Sequence, residues 1–316
     1  MPKIWASRRR DYDLDFRAKI ADDIAVIDAL QISSIGAAPA PMGTAAGAPA
    51  EAPALQRARG EGRLTATLRD GRTRIAGLYQ EGCAKIRLPN THHRGLEAVL
   101  MNTAGGLTGG DQLRWRATAG AGTRLALTTP ACERIYRSLG GDAVVETRLA
   151  AEAGAHLDWL PQETILFEAA RLDRRLEVDL ADGATLTAVE AVLLGREAMG
   201  EAATTARLRE HWRIRRNGRL LHAEATELCG DPCERAAASL LDGALAFATV
   251  LHVSPLAERR LAAVRALLPA SGGASVAGER LTVRLLAASG LALRRSLSPI
   301  IALLADAGGV PRLWSL

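Results

Sequence analysis

The chain has little of what several common protein classes need. Aromatic residues make up 3% of its 316 residues, so Ala, Leu and Val must fill the interior of a sequence that is 48% hydrophobic. No basic block is interleaved with stacking aromatics, and the net charge of +5 is spread along the chain, which disfavours nucleic-acid binding. Arginine supplies most of the positive charge, and a basic surface of this kind suits an acidic protein partner. Cysteines are few for this length: Cys83, Cys132, Cys229 and Cys233. A secretory signal is not evident, because Arg8, Arg9 and Arg10 are followed by Asp11, Asp13 and Asp15 where an apolar run belongs. The most apolar stretch, 243–253, falls short of the ~18 residues that a membrane helix requires. These absences lead to an expectation of a cytoplasmic chain with reduced thiols, bound to neither membrane nor nucleic acid.

What is present divides the chain. Residues 36–54 are almost entirely Ala, Pro and Gly without periodicity, a composition expected to be disordered. Residues 22–30 could form a short helix with little to pack on. Residues 1–60 are therefore read as an extension outside the fold, or as the product of a start codon placed upstream of a true start near Met42. From Arg63 to about Leu228 the chain alternates like strands. Leu64, Ala66 and Leu68 alternate with polar residues, and so do Leu113, Trp115 and Ala117, Leu125 and Leu127, Leu157 and Trp159, and Leu176, Val178 and Leu180. Asp70-Gly71, Asp182-Gly183 and Asn217-Gly218 predict hairpins. Beyond Pro232, helices are expected over 234–253 and 256–268, then a strand at Arg280–Ala287 and a last helix over 291–305 interrupted at Pro299. The fold class expected is mainly β: a single β-rich domain over 61–316, with a few helices toward the C-terminus.

The glycine-rich loop Asn102-Thr103-Ala104-Gly105-Gly106-Leu107-Thr108-Gly109-Gly110-Asp111 lies between two strand-like runs. It is no phosphate loop, because Asp111 and Gln112 stand where Lys and Ser or Thr belong. It is no dinucleotide fingerprint either, because a strand pattern follows it instead of a helix. Downstream come Thr128-Thr129-Pro130-Ala131-Cys132-Glu133-Arg134-Ile135-Tyr136-Arg137-Ser138, then Leu157-Asp158-Trp159-Leu160-Pro161-Gln162-Glu163-Thr164-Ile165-Leu166-Phe167, then Gly195-Arg196-Glu197-Ala198-Met199-Gly200-Glu201. In this order the four segments resemble the signature of the urease accessory protein UreD (UreH) family. The resemblance runs from about Arg63 to at least Leu228 and more loosely beyond. Cys132 departs from it, standing where the family usually has a small residue or Thr.

The resemblance implies a non-enzymatic maturation factor with stacked, β-helix-like strands. It implies binding to UreF, through UreF to the GTPase UreG, and docking on the subunits of apo-urease. It also implies help in delivering nickel, with Ni²⁺ held only transiently and no tightly bound cofactor. Carboxylates suit a weak metal route better than a closed His/Cys cage, since a carrier must release its ion. Asp111, Glu163, Glu190 and Glu224 are the candidate contacts, against the plainer reading of structural ion pairs with arginine. Glu190 interrupts the apolar run 186–194, where a buried charge needs a partner. His92-His93 and the pair Cys229 and Cys233 lack further ligands nearby and read as loop and helix-start residues. The alternatives are an adaptor that only tethers UreF to urease, with 234–268 as a docking patch, and a β-rich hydrolase using Cys132. No nucleophile elbow or triad signature supports the hydrolase.

Overall fold

The computed structural model describes residues 56–316 apart from 91, 92, 308, 315 and 316. The readings placed on 1–54 and on His92 lie outside the described residues. The strands are β1 (Arg59–Arg69), β2 (Arg72–Gly82), β3 (Ala84–Arg87), β4 (Leu96–Asn102), β5 (Gln112–Ala119) and β6 (Arg124–Thr128). They continue with β7 (Glu133–Ile135), β8 (Ala143–Ala151), β9 (His156–Leu160), β10 (Thr164–Leu166), β11 (Arg171–Leu180) and β12 (Thr185–Leu194). The last are β13 (Arg207–Arg216), β14 (Arg219–Leu228), β15 (Ala246–Val253), β16 (Gly272–Ala277) and β17 (Arg280–Ala287). Three helices lie toward the C-terminus: α1 (Pro232–Ala236), α2 (Ala257–Leu267) and α3 (Gly290–Leu304).

The strands form two sheets. One runs β14-β13-β11-β8-β5-β1-β2 and the other β16-β17-β15-β12-β9-β6-β4-β3, with β10 and β7 continuing sideways from β12. The central neighbours in both sheets are parallel, and between β4 and β13 the chain passes back and forth between the two sheets. The result is a stacked coil, in which Trp115, Thr147, Leu176 and Trp212 occupy one rung across four strands. The alternating leucines fill the space between the sheets: Leu64, Leu113, Leu125, Leu157, Leu176 and Leu186 are all buried. A second core, built from Val189, Val250 and Val283 with Val264, Leu297 and Ile301, packs α2 and α3 on the outer face of the second sheet. The β-rich, stacked architecture is as the sequence indicated.

Three local expectations are corrected. Asp70-Gly71 and Asn217-Gly218 do close hairpins, with φ positive at all four residues. Asp182-Gly183 does not, because β11 and β12 lie in different sheets and the turn carries the chain between them. The segment 234–253 is not one helix. Only Pro232–Ala236 is helical, and Ala246–Val253 is a strand between β12 and β17. Its apolar residues are continuous because both faces are buried, and a doubly buried strand has no polar alternation to read. The same burial withdraws Ala246–Val253 from any docking patch, whereas only Ala257 and Val264 are buried in α2. Finally, α3 continues through Pro299, which sits on its exposed side.

Candidate functional site

The four signature segments lie side by side along one flank of the stack, through Leu107 beside Ile135, β7 beside β10 and β10 beside the end of β12. In the loop after β4, Gly105, Gly106 and Gly110 take φ values of 77°, 146° and 89°, a region open to glycine at little cost. A Cβ on Gly106 would run into the Tyr136 ring, and one on Gly109 into Ser138. The loop is stitched to the second segment by Leu107 N to Arg134 O at 2.8 Å and by Thr108 Oγ1 to Arg137 O at 2.7 Å. Tyr136 donates to Gly105 O at 3.0 Å and packs edge-on against Phe167 with ring centres 5.1 Å apart. The Arg196 guanidinium lies 4.5 Å over Phe167 and pairs with Glu201 at 2.6 Å. The αL turn at Gly195 brings its backbone so close to Glu201 O that a Cβ would not fit, and Gly200 closes the short turn in the left-handed region. Thus Gly106, Tyr136, Phe167, Arg196 and Glu201 form one continuous set of contacts.

The candidate acids have distinct surroundings. Asp111 is buried, and its two oxygens accept from Ala58 N and Thr108 N, each at 2.8 Å. Glu163 is buried and pairs with Arg294 at 2.9 Å. Its neighbour Gln162 accepts from the same guanidinium and donates to Leu313 O at 3.2 Å. Arg294 also stacks 4.9 Å from Trp314, whose indole N–H donates to Leu160 O at 2.9 Å. The segment Leu160-Pro161-Gln162-Glu163 therefore anchors α3 and the C-terminal residues. Glu224, half-buried at the edge between the sheets, pairs with Arg284, and His222 Nε2 lies 3.5 Å away. Burial would raise its pKa, but the hydrogen bonds from His222 and Arg284 outweigh it and hold the carboxyl below its usual range.

Glu190 faces a space between the sheets. It lines a cavity of about 50 Å³ between the sheets together with Trp115, Thr129, Glu133, Gln162 and Arg174. Its Oε1 accepts from the Trp159 indole at 2.9 Å, and its Oε2 lies 2.6 Å from Arg174 Nη1. Burial pushes its pKa up to about 7, the charge of Glu210 adds to the rise, and Arg174 opposes it. A surface hollow of about 210 Å³, lined by Asn102, Gly105, Cys132 and Arg134, shares Trp115, Thr129 and Glu133 with that cavity. Glu133 accepts from Asn102 Nδ2 at 3.1 Å, and burial pushes its carboxyl up to about 7 as well. Glu133, Arg174 and Glu210 stand outside the set of candidates that the sequence suggests. The signal was there: each shares the inward face of its strand, Glu133 with Ile135, Arg174 with Leu172 and Leu176, and Glu210 with Leu208 and Trp212.

The described thiols and imidazoles have separate surroundings. Burial pushes the Cys132 thiol up to about 11, with Glu163 adding to the rise. It is therefore protonated at neutral pH, whereas a nucleophile needs the thiolate. Cys229 and Cys233 are exposed at the start of α1, where Asp231 caps the helix through Cys233 N at 2.7 Å. His93 Nδ1 accepts from Gly95 N at 3.1 Å in its loop. Among the described residues no group of three or more His, Cys, Asp or Glu is placed to hold a metal ion, and no helix is long and apolar enough to cross a membrane.

These features define a stacked β-strand protein whose signature residues pack together along one flank, beside two adjoining pockets that share Glu133. Residues 58–315 match the family described as UreD urease accessory protein, and the chain belongs to that family. It is 61% identical over 264 residues to the urease accessory protein UreD of Chelativorans sp. (strain BNC1), covering 83% of this chain and 95% of the relative. It is 56% identical over 263 residues to that of Rhizobium etli, covering 83% and 96%. It is 53% identical over 262 residues to that of Agrobacterium fabrum, covering 83% and 92%.

Proposed function

We propose that this urease accessory protein is a non-enzymatic scaffold that links apo-urease to UreF and UreG and passes nickel toward the urease active site through its interior. One observation carries the route: Glu133 stands in the wall of both the surface hollow and the internal cavity, and Glu190 lies in the wall of the inner one. Two carboxyls with pKa values raised to about 7 can take up or give up a proton near neutrality. They can therefore exchange a proton for a cation without a large change in buried charge. Oxygen donors bind Ni²⁺ less tightly than imidazole or thiolate would, which suits release.

A second reading, the adaptor without a route, draws on the other three acids. Asp111, Glu163 and Glu224 are each committed to main-chain amides or arginine. Nickel content of urease co-expressed with the accessory proteins separates the readings. Glu133→Gln and Glu190→Leu should each lower it several-fold while the chain still co-purifies with UreF. Full nickel loading with both variants would remove the route and leave the adaptor.

A further inference from the structure

Glu190 belongs to a group of three. Arg174 on β11, Glu190 on β12 and Glu210 on β13 all point between the sheets and are all buried. Arg174 Nη1 lies 2.6 Å from Glu190 Oε2, and its Nη2 and Nε lie 2.9 Å and 3.1 Å from Glu210 Oε1. Nη1 also donates to Thr164 Oγ1 at 2.9 Å. Each acid is fastened by an indole that does not depend on the arginine: Trp159 donates to Glu190 at 2.9 Å and Trp212 donates to Glu210 at 3.0 Å. One guanidinium thus bridges two fixed carboxylates and lines the cavity beside one of them.

A structural ion pair needs one acid. A second buried carboxylate adds desolvation cost and repels the first. The arrangement instead matches what a small divalent cation would find: two anionic oxygen donors held in place, with the space between them filled by a positive group. That group is on a flexible side chain and can withdraw from one acid while remaining on the other.

We propose that Arg174 is a tethered stand-in for the travelling cation. Resting on the nickel-route reading, it holds the Glu190–Glu210 pair when the passage is empty, yields Glu190 to an incoming divalent ion, and returns to displace that ion. The competition keeps the ion's residence short. Removing the competitor should trap the ion, and removing Glu210 should turn the whole guanidinium onto Glu190 and shut the ion out.

The test uses the full chain, with Ni²⁺ alone as probe, by equilibrium dialysis and metal analysis. Arg174→Met should bind one Ni²⁺ about tenfold more tightly than the parent or better, and adding Glu190→Gln should abolish that gain. Glu210→Gln, which keeps an acceptor for Trp212 and leaves the buried group neutral, should bind several-fold more weakly than the parent. No tightening in Arg174→Met, or tightening that survives Glu190→Gln, overturns the proposal. If Arg174→Met does not fold, an unchanged affinity in Glu210→Gln overturns it alone. Urease loading keeps the two ideas apart. If Glu190→Leu blocks loading while Arg174→Met binds no tighter, the route stands and the stand-in fails. If Glu190→Leu leaves loading intact, the route itself fails.

Discussion

Both carboxylate oxygens of Asp111 are taken by main-chain amides, one from Ala58 before β1 and one from Thr108 within the glycine loop. Asp111→Ala would leave two part-buried N–H groups without an acceptor, at a cost of ~1–3 kcal/mol each where water cannot replace it. The variant should unfold at lower denaturant concentration than the parent, and Asp111→Asn, which keeps one carbonyl acceptor, should lose less. A fall in nickel loading with Asp111→Ala would then report damage to the loop, so Glu190 is the cleaner probe of a route. The presence of an acid behind the glycines was legible in the sequence. Its employment was not, because Ala58 lies far away along the chain and contributes only a backbone N–H. Glu190 is the converse case: an acid inside an apolar strand announces that it is buried, and here it faces a cavity and an arginine.

Elements set by local chemistry were the most legible. Asp70-Gly71 and Asn217-Gly218 close hairpins because both residues of each turn can take positive φ. The same kind of signal at Asp182-Gly183 leads elsewhere, since the neighbours of β11 in its sheet are β8 and β13 and the next strand, β12, belongs to the other sheet. The strand Ala246–Val253 was hidden for a related reason. Its partners β12 and β17 are distant or later in the chain, and its composition alone fits a buried helix as well as a buried strand. In α3 the proline survives because Leu293, Leu297, Ile300, Ile301 and Leu304 bury the other side of the helix. Packing there outweighs a hydrogen bond that proline cannot make. Pro299→Ala restores that donor on an exposed surface and should stabilise the protein by ~1–2 kcal/mol, with the greater freedom of the unfolded chain offsetting part of the gain. A rise in melting temperature checks it.

Across the whole molecule, the second sheet is tied to the C-terminal residues by Asp158, whose Oδ2 accepts from Ala307 N at 2.7 Å. Burial pushes this carboxyl from 3.8 up to about 7. A carboxyl raised on folding adds stability that is complete below the unfolded pKa and is lost as pH rises through the folded one. Asp158→Asn keeps an acceptor for Ala307 and removes the charge, so its advantage over the parent should grow between pH 5 and pH 8, on the order of 2 kcal/mol. Nearby His252, lowered to about 4 by burial, acts with the opposite sign, losing stability as pH falls below 6.5. Melting temperatures of both proteins at several pH values measure the difference. The stacked coil was foreseen as β-rich, but which rungs carry charge inward emerges only when the parallel strands are laid in register. That registration also has an order in time. In the first sheet β1, β5, β8, β11, β13 and β14 lie side by side in the order in which they are synthesised, and in the second so do β4, β6, β9 and β12. A growing chain can add each rung to a finished one. Arg174 arrives first, Glu190 neutralises it when β12 is laid down, and Glu210 adds its charge only when β13 follows.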